Sequence, residues 1–258
     1  MIFRRSLTQL GGRVMAMARD VGGVFVLTME VLRALIPPRL DGRETVRNLY
    51  KMGNRSVPIV VLTALFVGGL MVIQFAAFVK QFGARALVGW GTGYAVFREV
   101  GPILIGLMFS GRVGANNTAE LATMTVTEQV DGLQALAIDP IRYLVVPRVV
   151  AMMIMLVALT VIGDAVALIG TMIMSYVVLD IHPYTVWYSL VDNLGPSDFL
   201  HGISKSLVFG AAIALSSCYF GLTVRGGAVG VGRAVNAAVV GAAVSICFLD
   251  FLMTYLTA

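Results

Sequence analysis

The sequence predicts an all-α integral membrane protein with five transmembrane helices, an N-terminal interfacial amphipathic helix and a short cytoplasmic helix. Of its 258 residues, 58% are hydrophobic and only 13% are charged, and the mean hydropathy is +0.88. Soluble domains carry about a quarter charged residues. The chain also contains five apolar runs long enough to cross a hydrocarbon layer of about 30 Å. These two observations exclude an ordinary soluble domain, and without a long linker or repeat we predict one domain.

Residues 1–36 are predicted to form the interfacial helix. Their apolar residues recur at steps of three and four, which places them on one helical face. The face comprises Leu7, Leu10, Val14, Met17, Val21, Val24, Thr28, Leu32 and Leu35. Such a helix can lie on the inner leaflet with its arginines at anionic headgroups, or pack on the rest of the protein, and the two interpretations are compatible. No signal-peptide pattern is present.

The proline pair at positions 37 and 38 is predicted to end this helix, and residues 37–56 to form a polar, basic cytoplasmic connector. The five predicted spans are residues 57–79, 86–118, 145–179, 199–224 and 234–258. Residues 180–198 are predicted to be an external loop with a short interfacial helix, because Tyr184, Trp187 and Tyr188 suit the headgroup region. The glycine-rich residues 225–233 are predicted to form a tight cytoplasmic turn.

The basic residues indicate the orientation of the chain. With the amino terminus inside, residues 1–56, 112–148 and 225–233 share one side and hold fifteen of the nineteen Lys and Arg residues. The opposite side holds only Lys80 and Arg85. Since basic residues accumulate in cytoplasmic loops, the amino terminus is predicted to be cytoplasmic and the carboxy terminus external.

Four charged residues inside the predicted spans are expected to meet. At a rise of 1.5 Å per residue, Lys205 lies about 9 Å and Asp250 about 12 Å from the outer ends of their spans. Arg98 and Glu99 lie in the outer half or near the middle of the second span. We predict that these four residues form a formally neutral cluster. The cluster either holds the headgroup of a lipid or lines the exit of that lipid, or it is a structural ion-pair network. Asp164 is alone in the third span and is assigned no function.

Residues 127–140 are predicted to form the short cytoplasmic helix. Thr127 is the expected N-cap, acidic residues follow it, and Pro140 is expected to stop the helix. The candidate docking residues are Thr127, Glu128, Gln129, Asp131, Leu133, Leu136, Asp139 and Pro140. A helix this short cannot bury its small apolar face alone, so it packs on its own membrane domain or in a groove of another protein.

Five motifs carry a family resemblance. They are R-E-V-G-P (98–102), S-G-R-V-G-A (110–115), the stretch 119–148, K-S-L-V-F-G (205–210) and R-G-G-A-V-G-V-G-R-A-V (225–235). The chain thereby resembles the MlaE-type permeases, the membrane subunits of ABC transporters that move phospholipids or related lipids with MCE-domain proteins. One departure from the family pattern is Asn116-Asn117, which could change local packing.

The resemblance implies a homodimer in a bacterial inner membrane, two cytoplasmic ATPase subunits and a periplasmic MCE assembly. Residues 127–140 would be the coupling helix that docks in the ATPase, and lipid would pass through the dimer centre. The family also places a charged cluster at Arg98, Glu99, Lys205 and Asp250. No phosphate-binding G-x-x-x-x-G-K-[ST] loop occurs, so ATP and Mg²⁺ are expected on the partner and no cofactor on this chain.

Competing interpretations remain open from the residues alone. No metal-ligand spacing, catalytic triad or nucleic-acid site is predicted. A stand-alone secondary transporter could use Glu99, Asp164 and Asp250, and a structural scaffold could merely anchor other proteins. Residues 127–148 disfavour the secondary transporter, because it does not need a compact docking helix. Such transporters also usually contain an internal repeat, which is not found.

Overall fold

The computed structural model describes residues 2–35 and 42–257, which contain helices and turns but no β-strand. Four helices in this part of the chain are long and apolar enough to cross a membrane: Val57–Phe82, Ile141–Leu179, Pro196–Leu222 and Gly227–Thr257. The α-helices of the described residues are α1 (Ile2–Ala34), α2 (Gly42–Gly53), α3 (Val57–Phe82), α4 (Val88–Ala95), α5 (Gly101–Phe109), α6 (Ala115–Val126), α7 (Gln129–Ala135), α8 (Val146–Leu179), α9 (Pro183–Asn193), α10 (Pro196–Leu222) and α11 (Gly227–Thr257).

The predicted second span is not one regular helix. Residues 85–126 form a 3₁₀ turn (Arg85–Leu87), α4, a π turn (Val96–Val100), α5, a second π turn (Ser110–Gly114) and α6. The first π turn precedes Pro102, which has no N–H to bond the carbonyl four residues back, and the helix widens there. Because this interrupted segment is not among the four long apolar helices, the fifth span stays a prediction.

Helices α3 and α8 pack closely because glycines remove the side chains between them. A Cβ atom on Gly68 would collide with the Ala167 carbonyl, and one on Gly170 would collide with the Leu65 carbonyl. The Thr171 hydroxyl donates across this contact to the Gly68 carbonyl at 3.3 Å. Small residues at such crossings allow backbones to approach, which compensates for the absence of a hydrophobic driving force within lipid. Helix α8 of this pair also packs against α10, α2 and α5.

Two of the three predicted connectors differ in the structure. Residues 37–56 contain the amphipathic helix α2, whose Asn48 and Met52 are buried; the expected helix end at Pro37 lies outside the described residues. The predicted turn at 225–233 is shorter, because α11 already begins at Gly227. The turn uses Gly226 and Gly227 at positive φ. The short helix predicted between the third and fourth spans is present as α9.

Among the side chains of helix α1 that the structure describes, those near its carboxy-terminal end pack on the membrane domain. Leu27 and Val31 are buried in the main core, and a Cβ on Gly23 would overlap the Tyr219 ring of α10. Of the predicted apolar face, Val24, Thr28 and Leu35 are half-buried, whereas Met17, Val21 and Leu32 are exposed. The side chains of Leu7, Leu10 and Val14 lie outside the described residues. The exposed apolar positions agree with an interfacial helix, and the buried ones with packing on the protein.

Candidate functional site

The centre of the candidate site is Lys205, a fully buried lysine on α10. Its Nζ atom lies 2.6 Å from Glu99 Oε2, 2.8 Å from Asp250 Oδ1 and 2.8 Å from Thr254 Oγ1. Glu99 and Thr254 accept hydrogen bonds from the ammonium group, and Asp250 forms a second ion pair with it. A buried charge without such partners would cost several kcal/mol. We call Glu99, Lys205, Asp250 and Thr254 the lysine cluster.

Three different elements build the lysine cluster. Glu99 comes from the π turn between α4 and α5, and Asp250 and Thr254 lie one turn apart on the same face of α11. The Thr254 hydroxyl also lies 3.1 Å from Glu99 Oε1, so it links α11 to the π turn that carries Glu99. Lys205 is fully buried, whereas the Glu99 and Asp250 side chains are 31% and 15% exposed. The accessible edge of the cluster is therefore anionic and can accept further hydrogen bonds.

Arg98 does not join this cluster, although the sequence predicted that it would. Its guanidinium pairs with Asp198 at 3.1 Å, donates to the Thr257 carbonyl at 3.3 Å and lies over the Tyr94 ring. Consecutive residues on a helix point in different directions, so Arg98 and Glu99 reach different partners although they are neighbours in the sequence. The four predicted residues have a net charge of zero, and adding Asp198, the partner of Arg98, brings the net charge to −1.

Asp198 and Thr254 were missed at the sequence level. Thr254 follows Asp250 by four residues and so shares its helical face. Asp198 precedes Lys205 by seven residues, or two turns, and lies in the first turn of α10, where an acidic residue is favoured. Both positions could have been found by extending the depth argument to all polar residues near the outer ends of the spans.

The predicted cytoplasmic helix is shorter than residues 127–140. Helix α6 continues to Val126, and the Thr127 hydroxyl donates back to the Thr123 carbonyl at 2.8 Å, so Thr127 does not cap the next helix. Glu128 reverses the chain at φ 59°, and α7 covers only Gln129–Ala135. Pro140 opens the following helix instead of stopping this one. Asp139 Oδ1 caps that helix by accepting from the Ile141 N–H at 2.9 Å.

Helix α7 is anchored by one buried residue and leaves most of its surface free. Val130 is buried in the main core and Leu133 packs against that core. Leu136 is 73% exposed. The polar candidates Glu128, Gln129, Asp131 and Asp139 are all exposed. The segment therefore presents a small acidic surface that includes the exposed side chain of Leu136.

A second polar network, which sequence analysis missed, links α2, α6, α8 and α10 near α7. The nearly buried Arg148 donates to Asn117 Oδ1 at 2.9 Å and to Glu120 Oε1 at 3.2 Å. Lys51 donates to Glu120 Oε2 at 2.6 Å, and Asn117 donates to Ser217 Oγ at 2.8 Å. Asn117, one of the two amides that depart from the family pattern, is thus a structural hub.

The network also affects the acidity of Glu120. Burial alone raises the pKa of this carboxyl group, but the hydrogen bond from Lys51 and the charges of Arg148 and Lys51 outweigh burial. The pKa of Glu120 is therefore lowered, and its ionised form is stabilised in the folded protein.

Asp164 is buried between α8 and the start of α5. It is 2% exposed, and its Oδ1 atom has no hydrogen-bond partner among the described residues. A Cβ atom on Gly101 would lie 2.5 Å from this oxygen, so the carboxyl group occupies the space that the glycine leaves. It does not reach the lysine cluster. No cluster of potential metal ligands occurs in the described part of the chain.

The long apolar helices, with a charged cluster buried among them, define the class of multi-pass membrane proteins. Comparison with known proteins makes this class specific. The family model described as Permease MlaE matches residues 45–256, so the chain belongs to the MlaE permease family. The resemblance inferred from the sequence motifs is thereby confirmed.

Three relatives illustrate the match. A probable ABC transporter permease protein of Rickettsia felis is 37% identical over 247 residues, which cover 96% of this chain and 95% of the relative. One of Synechocystis sp. is 38% identical over 233 residues, with 90% and 88% covered. The protein TRIGALACTOSYLDIACYLGLYCEROL 1, chloroplastic, of Arabidopsis thaliana is 34% identical over 229 residues, with 89% and 65% covered. The chain is therefore a multi-pass membrane permease, and ABC transporter permeases work with an ATPase partner.

Proposed function

We propose that this chain is the permease subunit of an ABC transporter that moves phospholipid, or a related lipid, between the bacterial inner membrane and a periplasmic MCE-protein assembly. ATP and Mg²⁺ are bound by a separate ATPase subunit, and this chain has no catalytic role. The amino terminus is cytoplasmic and the carboxy terminus periplasmic. Membership of the MlaE family supports this assignment, as does the glycolipid in the name of the Arabidopsis relative.

The observation that carries the proposal is the lysine cluster beside an exposed apolar surface. Helix α11 leaves large apolar side chains uncovered: Val240, Val244, Phe248, Phe251 and Tyr255 are each at least 63% exposed. Asp250 of the cluster lies between two of these residues in the sequence. An amphiphile needs this combination, because its headgroup requires hydrogen-bonding partners and its chains require an apolar wall. A second copy of the chain would place two such surfaces around one lipid path.

Helix α7 supports the coupling role. It is acidic and exposed, its Val130 is buried in the main core, and α6 connects it to the segment that carries Glu99. We infer that α7 docks in the ATPase subunit and that the segment from α4 to α6 transmits the ATP-driven motion to the lysine cluster. A segment that stays rigid between two nucleotide states would contradict this inference.

One observation favours a second candidate function. Asp164 is buried and unpartnered among the described residues, as a proton-carrying group of a secondary transporter would be. However, Asp164 does not contact the lysine cluster, and the chain belongs to a family of ABC transporter permeases. We therefore keep ion- or proton-coupled transport through Glu99, Asp164 and Asp250 as the alternative that the experiments must exclude.

The Asp250→Asn variant tests the role of the lysine cluster with little change in shape. The permease would be purified with its ATPase partner, and co-purified phospholipid would be counted by mass spectrometry. We expect Asp250→Asn to reduce bound phospholipid and the control Asp192→Asn, which removes an exposed carboxylate on α9, to leave it unchanged. Equal phospholipid in both variants and in the wild type would contradict a headgroup role.

A further inference from the structure

A basic cleft opens at the other end of the interrupted helical segment, away from the lysine cluster. We call it the basic cleft and define it by Lys51, Arg55, Arg112, Asn116 and Glu120. Lys51 lies on α2 and Arg55 just before α3, whereas Arg112 lies in the second π turn and Asn116 and Glu120 on α6. The cleft therefore joins two parts of the chain that are about sixty residues apart.

The charges of the basic cleft are not balanced. Its single carboxylate, Glu120, is occupied by Lys51 at 2.6 Å and by the neighbouring Arg148 at 3.2 Å. Arg55 and Arg112 pair with no carboxylate in the described part of the chain. The residues that define the cleft carry three positive charges and one negative charge. Arginine is suited to bind phosphate, because its planar guanidinium presents several N–H donors in a fixed arrangement.

The position of Arg112 makes this imbalance informative. Arg112 is only partly exposed and lies at the inner end of the predicted second span. The cleft stands at the level where α3 begins at Val57, and the apolar Ile59 and Leu62 are exposed within the next two turns of α3. A basic group beside a lipid-facing apolar surface at a membrane boundary is typical of a headgroup site.

The size of the cleft limits its occupant. Its volume is about 50 Å³. A single water requires about 10–15 Å³ by the same measure. The cleft thus accommodates a group of a few heavy atoms, such as phosphate, but not a whole lipid. Exposed Asn116 at its edge can supply an additional amide donor.

We propose that the basic cleft binds the phosphate of an anionic phospholipid of the inner leaflet, with Arg112 and Arg55 as its donors. The acyl chains of this lipid lie along Ile59 and Leu62. The proposal rests on the predicted orientation of the chain and not on lipid transport. The lysine cluster presents carboxylates to its surroundings, whereas the basic cleft presents arginines, so the two sites differ in chemistry and in depth.

The test measures lipid binding by the permease–ATPase complex in nanodiscs of phosphatidylcholine. Phosphatidylglycerol would be titrated in, and its retention measured by native mass spectrometry. We expect the Arg55→Gln/Arg112→Gln variant to weaken phosphatidylglycerol binding about 30-fold, from the loss of two interfacial charges. The control Arg225→Gln removes a charge at the turn between α10 and α11 and should leave binding unchanged. Arg112→Lys keeps the charge and should retain most binding, which protects the test against misfolding.

Three outcomes would overturn the proposal. Equal losses in the cleft variant and in Arg225→Gln would indicate non-specific attraction between charges. Thermal stabilisation by inorganic phosphate, with no retention of phosphatidylglycerol, would identify the ligand as a free anion. If the cleft variant released the ATPase subunit while keeping its lipid, the basic cleft would be a protein contact.

Discussion

Lys205 shows how a single residue sets the character of the site. A lysine with no exposed surface is tolerated because Glu99 and Thr254 accept its hydrogen bonds and Asp250 forms a second ion pair with it. Removing the lysine leaves two carboxylates facing each other without their shared cation. The cluster is therefore expected to respond to charge balance more strongly than to the loss of any one hydrogen bond.

The Lys205→Met variant should be destabilised by about 3–5 kcal/mol, the usual result of breaking a buried ion pair. The double variant Lys205→Met/Asp250→Asn should recover part of this loss, because it removes one of the unpaired carboxylates. Thermal unfolding in detergent would measure both, with Lys80→Met as the matched control at an exposed lysine. A double variant no more stable than Lys205→Met would show that charge balance is not what the cluster supplies.

Glu120 makes a prediction about pH. Its folded-state pKa is lowered, so its ionised form stabilises the protein above the ordinary glutamate pKa, and this contribution disappears as the pH falls through the folded-state value. The side chain is 42% exposed. We therefore expect Glu120→Gln to cost only about 0.5–1 kcal/mol at neutral pH.

The pH dependence of the Glu120→Gln effect can be followed by chemical unfolding between neutral and acidic pH. The difference from wild type should shrink as the pH falls below the ordinary glutamate pKa. Glu128→Gln, at an exposed carboxylate with no ion-pair partner in the described part of the chain, should show no such difference. A gap that persists unchanged at acidic pH would contradict the ion-pair assignment.

At the scale of elements, the contact between α3 and α8 depends on the absence of side chains. Gly68→Ala places a methyl group against the Ala167 backbone, which cannot move without separating the helices. We expect a loss of about 1–3 kcal/mol. Gly22→Ala, where nothing lies within 4 Å, should be neutral or slightly stabilising. Thermal unfolding of the two variants gives the comparison, and equal stabilities would refute the close packing of α3 on α8.

Helix α7 is predicted to carry the ATPase interaction. Asp131→Lys reverses a charge on its exposed surface without touching Val130, so the membrane fold should remain intact. We expect at least a tenfold loss of ATPase subunit in co-purification, because like charges placed at an interface cost affinity and specificity. The control Asp192→Lys reverses a charge on α9, on the opposite predicted side. Unchanged recovery of the ATPase with Asp131→Lys would contradict the coupling assignment.

The sequence predicted the apolar helices well because their composition alone requires burial in lipid or protein. It did not predict the π turns, since they depend on how Pro102 and the neighbouring helices share backbone hydrogen bonds. Helix α2 was missed because its polar residues resemble a loop until the fold brings Glu120 to Lys51 as an ion-pair partner. Thr127 was wrongly predicted to be an N-cap because the sequence did not show that α6 extends to Val126. Pro140 was predicted to stop the short helix, but α7 already ends at Ala135.

The candidate site was predicted in part for a similar reason. Depth along straight helices was sufficient to bring Lys205 near Asp250. It could not separate Arg98 from Glu99, because consecutive residues lie at nearly the same depth while their side chains point to different sides of the helix. The polar network around Arg148 joins four helices and becomes visible only once they are packed.

At the scale of the whole molecule, two polar sites lie at opposite ends of the same helical segment. The lysine cluster is predicted to face the outer side, and the basic cleft and α7 the inner side, in agreement with the distribution of arginines and lysines. The exposed apolar surface of α11 extends from one end to the other. This arrangement suits a subunit that receives force on one side of the membrane and handles an amphiphile within it.

Reconstitution tests the central claim most directly. The permease would be placed with its ATPase in proteoliposomes that contain labelled phospholipid. Transfer of this lipid between the membrane and the MCE-domain protein would then be measured. Each measurement would be made with and without ATP, and with and without a proton gradient. We predict lipid transfer that requires ATP, is unaffected by collapse of the gradient and is reduced by Asp250→Asn. Lipid or solute movement that follows the proton gradient in the absence of ATP, and is lost in Asp164→Asn, would contradict the account.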